Sequence, residues 1–156
     1  MSEINKPPVG KKPGKTSKNR HKSRELVLKG IYRCFLNQGD LRQISRELVD
    51  DPDYAHADEA YFQQLLKGVI EQLPSLDVQL AEFIDRPVSE LSPVEHAVLC
   101  ISSFELIHDL SIPFRVVINE GVELAKSYGG TDGHKYVNGV LDKLAAKFRA
   151  TELSRK

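Results

Sequence analysis

The chain has 156 residues, no net charge and two cysteines, enough for one domain or two small lobes that share a core without disulfide staples. Cys34 and Cys100 stand 66 positions apart, and the longest apolar run, residues 97–101, is five long; these exclude a cysteine-rich scaffold and a membrane-spanning helix of about 20 residues. Zero charge conceals a segmentation: residues 1–24 carry eight basic side chains against Glu3 alone, residues 40–109 carry 4 basic against 15 acidic, and residues 110–156 carry 8 against 5. A cationic segment attracts polyanions and an acidic one attracts basic protein surfaces. The start of the chain lacks the apolar core of a signal peptide, so a reducing, cytoplasmic compartment is expected.

Residues 1–20 are rich in Pro, Gly, Lys, Ser and Asn and bury too little to offset ordering entropy, which predicts a disordered basic arm. A helix is expected from Ser23, with Leu28, Ile31, Tyr32 and Phe35 on one face and Gly39 as its stop. Leu41, Ile44 and Leu48 mark a second helix that Pro52 ends. Asp58 caps a third, carrying Phe62, Leu65, Leu66, Val69, Ile70 and Leu73 up to Pro74; Leu76, Leu80 and Phe83 mark a fourth before Pro87. Ser92, Pro93 and Glu95 supply an N-cap, a first-turn proline and a capping-box acid for a fifth. Its apolar residues cover nearly the whole circumference, which predicts a central, buried helix. Pro113 opens a sixth that closes at Gly129-Gly130, and Thr131 or Asp132 caps the last, with Val137, Val140, Leu141, Leu144 and Phe148 inward. With no period-two alternation, the fold class is all-α: about seven helices in two small packed bundles, residues 21–85 and 86–156, behind the arm at 1–20.

Catalytic patterns are missing from the sequence: no nucleophile elbow, no paired-histidine metal motif and no activated cysteine spacing. No metal site or cofactor is therefore expected. Asp53 and His56 are the one pair at ligand spacing, and one pair does not make a metal site. The turn Gly129-Gly130-Thr131-Asp132-Gly133-His134-Lys135 fails the phosphate-loop spacing. It either offers a helix N-terminus to one phosphate of a polyanion or serves as a plain turn. The abundant acids of midchain read as a solvated surface.

Nucleic-acid binding fits better. Lys18, Arg20, His21, Lys22 and Arg24 run into the first helix, where an arm can fold onto phosphates. Tyr128 and Tyr136 flank the glycine turn beside Lys126 and Lys135, and unstacked bases need such π faces. Tyr136 is offset from the apolar face of its helix, so it reads equally as a core aromatic or as a partly exposed one.

Three stretches carry a resemblance: Ile112-Pro113-Phe114-Arg115-Val116-Val117-Ile118-Asn119-Glu120, Glu123-Leu124-Ala125-Lys126-Ser127-Tyr128-Gly129, and His134-Lys135-Tyr136-Val137-Asn138-Gly139-Val140-Leu141-Asp142-Lys143. With residues 92–99 and Tyr61-Phe62-x-x-Leu65-Leu66-x-Gly68-Val69, the chain resembles the NusB family of bacterial transcription antitermination factors over about residues 20–150. The resemblance implies a non-enzymatic protein that binds single-stranded boxA RNA of ribosomal RNA leaders together with NusE, a small ribosomal subunit protein, and joins the RNA polymerase elongation complex. It implies RNA contacts at Arg20, His21, Lys22, Arg24, Asp132 and Tyr136, and NusE contacts at Tyr32 and Glu95. His21 and Lys22 stand where the family often has arginine, which weakens bidentate phosphate contact. Two other readings are a helical RNA-binding module related to those preceding RNA methyltransferase domains, whose catalytic nucleotide-binding unit is absent from this sequence, and a pure protein adaptor.

Overall fold

The computed structural model describes residues 13–154, with side chains from residue 20 onward. Among the described residues there are seven α-helices and no strand: α1 Pro13–Phe35, α2 Leu41–Leu48, α3 Glu59–Ala81, α4 Pro93–His108, α5 Phe114–Tyr128, α6 Gly133–Phe148 and α7 Ala150–Leu153. Two short 3-10 turns, Pro52–His56 and Val88–Glu90, lie between them. Helix α4 packs against α1, α3, α5 and α6. It buries Ala97, Val98, Leu99, Cys100, Ile101 and Leu106, as its all-round apolar pattern requires, and one continuous apolar cluster runs through both halves of the chain.

Several helix ends follow the local chemistry. Asp40, Asp58 and Ser92 accept the N–H of Gln43, Tyr61 and Glu95 respectively, each satisfying a donor that has no partner inside the helix. Asn37 and Gly39 take positive φ, 57° and 135°, and turn the chain after α1.

Three expectations are corrected. Helix α1 begins at Pro13, inside the segment expected to be disordered; extending a helix already nucleated by the packed residues after Ser23 costs less than starting one. Residues 1–12 of that arm lie outside the described residues. Pro74 does not end a helix: the expected third and fourth helices are one, α3, with Pro74 inside it. Val69, Leu73, Leu76 and Leu80 keep unbroken four-three-four spacing through the proline, and Leu76 and Leu80 are fully buried while Pro74 is exposed. Burial of two leucines, about 1.5–3 kcal/mol each, outweighs the roughly 3 kcal/mol of an interior proline. The count of seven is restored by α7, which the pattern did not show. Finally, Asp132 precedes α6 but its side chain caps nothing.

The turn after α4 is held by Arg149. Its buried guanidinium donates to the carbonyls of Leu106 (2.8 Å), Ile112 (2.9 Å), Asp109 (3.0 Å) and Glu105 (3.2 Å), completing the C-terminal end of α4 with a side chain from 40 residues on.

Candidate nucleic-acid and partner surfaces

Arg24, expected on the RNA side, points into the body. It is 4% exposed, and its Nε donates to Glu105 Oε1 and Oε2 at 3.2 and 3.0 Å, with Glu105 1% exposed on α4. The Tyr61 hydroxyl from α3 donates to the same carboxylate, and Arg24 also reaches Glu120 of α5 at 3.4 Å. One ion-paired centre thus joins four helices. Burial pushes the Tyr61 hydroxyl far up, reinforced by the Glu105 charge; burial also raises the Glu105 carboxyl, against the pull of Arg24. Neither Glu105 nor Tyr61 was singled out for this role from sequence. The only available signal was an acid at an inward position of an otherwise apolar helix.

The other residues at this end stay within reach of solvent. Arg20 lies over the Tyr61 ring, 4.3 Å from its centroid, and 3.9 Å from Asp58. His21 Nδ1 is 2.9 Å from Glu120 Oε1 and its Nε2 is 3.4 Å from Glu25. Lys22 Nζ stands 3.3 Å from Glu25 and 3.6 Å from Asp53; the bond to Glu25, with its charge and that of Asp53, holds the ammonium above its ordinary pKa. The side chain of Lys18 lies outside the described residues. The cationic edge is therefore lined by its own carboxylates.

Asp132, Lys135 and Tyr136 sit elsewhere. Asp132 and Lys135 are about three-quarters exposed and 3.6 Å apart. Tyr136 is half-buried; its hydroxyl donates to Asp85 Oδ1 at 3.2 Å, and the Arg86 guanidinium lies 4.6 Å from its ring centroid. Burial is the main cause that raises the Tyr136 phenol, and the bond to Arg86 holds Asp85 low. Glu105 meets Arg24 at one end of α4, and Glu95, ten residues earlier, meets α6 at the other. At about 1.5 Å per residue the two groups stand about 15 Å apart along α4.

The glycine turn carries an internal anion. A Cβ built on Gly133, the first residue of α6, would lie 2.5 Å from Glu95 Oε2, so the half-buried Glu95 carboxylate occupies the electropositive helix end that a phosphate would seek. The Glu95 N–H donates to Ser92 Oγ at 3.2 Å, one half of the expected capping box; the carboxylate expected to reach back to the Ser92 N–H lies against Gly133 instead. Beside this end, Tyr32 and Tyr128, 37% and 38% exposed, line a groove of about 580 Å³ with Leu28, Leu48 and Val94 as apolar walls and Lys29, Arg33, Glu47, Asp50 and Asp51 on its rim. Asp53 and His56 lie on the Pro52–His56 turn, where His56 is exposed and Asp53 faces Lys22 and Lys29.

The fold and these surfaces define a class: an all-α body around one buried ion-paired centre, with a cationic edge at one end and a tyrosine-bearing, mixed-charge surface at the other. The chain belongs to the NusB family, whose model matches residues 21–146. It is 63% identical over 150 residues to the transcription antitermination protein NusB of Methylobacillus flagellatus, covering 96% of this chain and 97% of that one. It is 47% identical to the protein of that name from Ralstonia nicotianae, over 100% and 99% of the two chains. The solved structure of T. maritima NusB superposes with a TM-score of 0.76 at 28% identity, covering 86% of this chain and 96% of that one. No described helix is long and apolar enough to cross a membrane.

Proposed function

We propose that this chain is a transcription antitermination factor that binds single-stranded boxA RNA of ribosomal RNA leaders jointly with NusE, the pair acting on the elongating RNA polymerase. Family membership over residues 21–146, together with the cationic edge in the first half of α1, carries the reading. Arg20, His21 and Lys22 are about one-third exposed and face the partly exposed carboxylates of Asp58, Glu120 and Asp53 as well as the mostly buried Glu25. Pairs with the partly exposed acids contribute about 0–1 kcal/mol each, so a phosphate displaces those carboxylates at small cost. Arg24 acts differently from the expectation: it fixes the base of the edge through Glu105 rather than meeting RNA.

At the far end, Lys135 supplies a phosphate contact and Tyr136 a stacking face, oriented by Asp85 and Arg86. RNA touching both ends runs along the body between them. NusE, by this reading, fills the Tyr32 groove, whose apolar walls and acid-bearing rim suit a basic protein, and meets Glu95 beside it.

Fluorescence anisotropy with boxA and scrambled RNA, with and without NusE, across a salt series tests this. Preferential boxA binding that NusE enhances and salt weakens supports it; equal binding of both RNAs under all conditions defeats it. Glu95→Ala is expected to weaken NusE capture more than it lowers the melting temperature; unchanged capture with a lowered melting temperature would confine Glu95 to the end of α6.

A further inference from the structure

Beyond both surfaces, three potential ligands meet between α3 and α4. His96 and Cys100 are one helical turn apart, so they face the same way, and Asp77 of α3 stands opposite. His96 Nε2 is 2.7 Å and Cys100 Sγ is 3.7 Å from the same oxygen, Asp77 Oδ1. All three donor atoms lie within 4.8 Å of one another. We propose that Asp77, His96 and Cys100 form a zinc site that ties α3 to α4.

The geometry comes close to what zinc requires. Tetrahedral zinc with bonds of about 2.0–2.3 Å separates its ligands by roughly 3.4–3.6 Å. The sulfur-to-oxygen distance is already there, and the imidazole-to-oxygen distance needs to open by roughly 0.7 Å, within the reach of small side-chain rotations. Cys100 is fully buried and His96 mostly so, while Asp77 is 35% exposed, so solvent reaches the site from the aspartate side and a water completes the shell there. Phe35 of α1 stacks on the His96 ring at 4.2 Å and 11°, which holds the imidazole plane. A thiolate, an imidazole and a carboxylate together favour zinc over the oxygen-seeking calcium and magnesium. On binding, the thiol proton leaves to solvent, and neutral His96 presents Nε2 with its proton on Nδ1. Charge balances, one thiolate and one carboxylate against the dication. His96 and Cys100 form a second pair at ligand spacing, beyond the Asp53 and His56 pair noted from the sequence, and the third member comes from another helix, 19 residues before His96.

Untagged full-length protein, stripped with a chelator, is titrated with cobalt and separately with zinc. One equivalent of cobalt is expected to produce a thiolate-to-metal absorption band together with tetrahedral visible bands. Zinc at a hundredfold excess over its Kd is expected to raise the melting temperature by roughly 5–10 °C. Cys100→Ser and His96→Gln should abolish the cobalt band, while Cys34→Ala keeps it. Asp77→Asn, which retains the hydrogen bonds of the unmetallated site, should weaken zinc by more than the 10–100-fold typical of an outer-shell loss and shows the effect even if the buried variants fail to fold. A wild-type protein with no thiolate band at tenfold cobalt excess, a band that survives Cys100→Ser, or zinc affinity unchanged by Asp77→Asn overturns the site.

Discussion

The buried centre at Arg24 makes the sharpest test of how this fold is held. Arg24→Met leaves Glu105, 1% exposed, with the Tyr61 hydroxyl as its remaining partner and no counter-charge. Removing one member of a buried pair costs about 3–5 kcal/mol, a large part of the roughly 5–15 kcal/mol that holds a domain together. At about 2–4 °C per kcal/mol for a chain of this length, the melting temperature should fall by roughly 6–20 °C. The combined Arg24→Met, Tyr61→Phe, Glu105→Met variant removes all three polar groups and should return to within about 2 kcal/mol of the parent. Urea unfolding followed by circular dichroism measures both. The pH dependence has a definite sign. Without Arg24 the Glu105 carboxyl, already raised by burial, rises further, so the folded state binds the proton first. The Arg24→Met deficit should therefore shrink as pH falls through that raised value toward the ordinary 4.5. RNA affinity, measured where the variant is folded, should keep its salt slope, whereas loss of a direct phosphate contact lowers the slope by about one. A single-variant loss below about 1 kcal/mol, or a triple variant no more stable than Arg24→Met, would refute the reasoning.

Pro74→Ala should stabilise the protein by about 1–3 kcal/mol in urea melts, since it restores the missing backbone donor at an exposed site inside α3. Asp51→Asn isolates a charge, because the amide can still accept the N–H of Asp53 as the carboxylate does. The bond from Lys29 holds Asp51 below its ordinary 3.8, so its contribution is present above that value and lost as pH falls through the depressed one. The variant should be less stable than the parent by under about 1 kcal/mol at neutral pH, with the gap closing in acid melts below pH 3.8. Asp132→Asn should tighten RNA binding by a few-fold in anisotropy titrations, because it removes a repelling carboxylate and releases Lys135, 3.6 Å away; unchanged or weaker binding counts against RNA at this edge.

Much of the architecture is legible in the residues alone. Apolar spacing of three and four, read with Asp58 and Ser92 as caps, locates the helices, because periodicity and capping are properties of neighbouring residues. The all-round apolar pattern of residues 94–107 marks α4 as central for the same reason. What local pattern leaves open is every contest between a local signal and a distant one. Pro74 reads as a stop until the burial of Leu76 and Leu80 outweighs it. Arg24 reads as one more cation of a basic run until Glu105, 81 positions on, draws it inward. Glu95 reads as a capping residue or a partner contact, and the approach of α6 sets its carboxylate against Gly133. Asp77 joins His96 and Cys100 only where α3 crosses α4. Charge and hydropathy are written in each side chain, but which charges are taken from water depends on what packs over them, and desolvation decides which of these polar groups hold the fold and which remain free to bind.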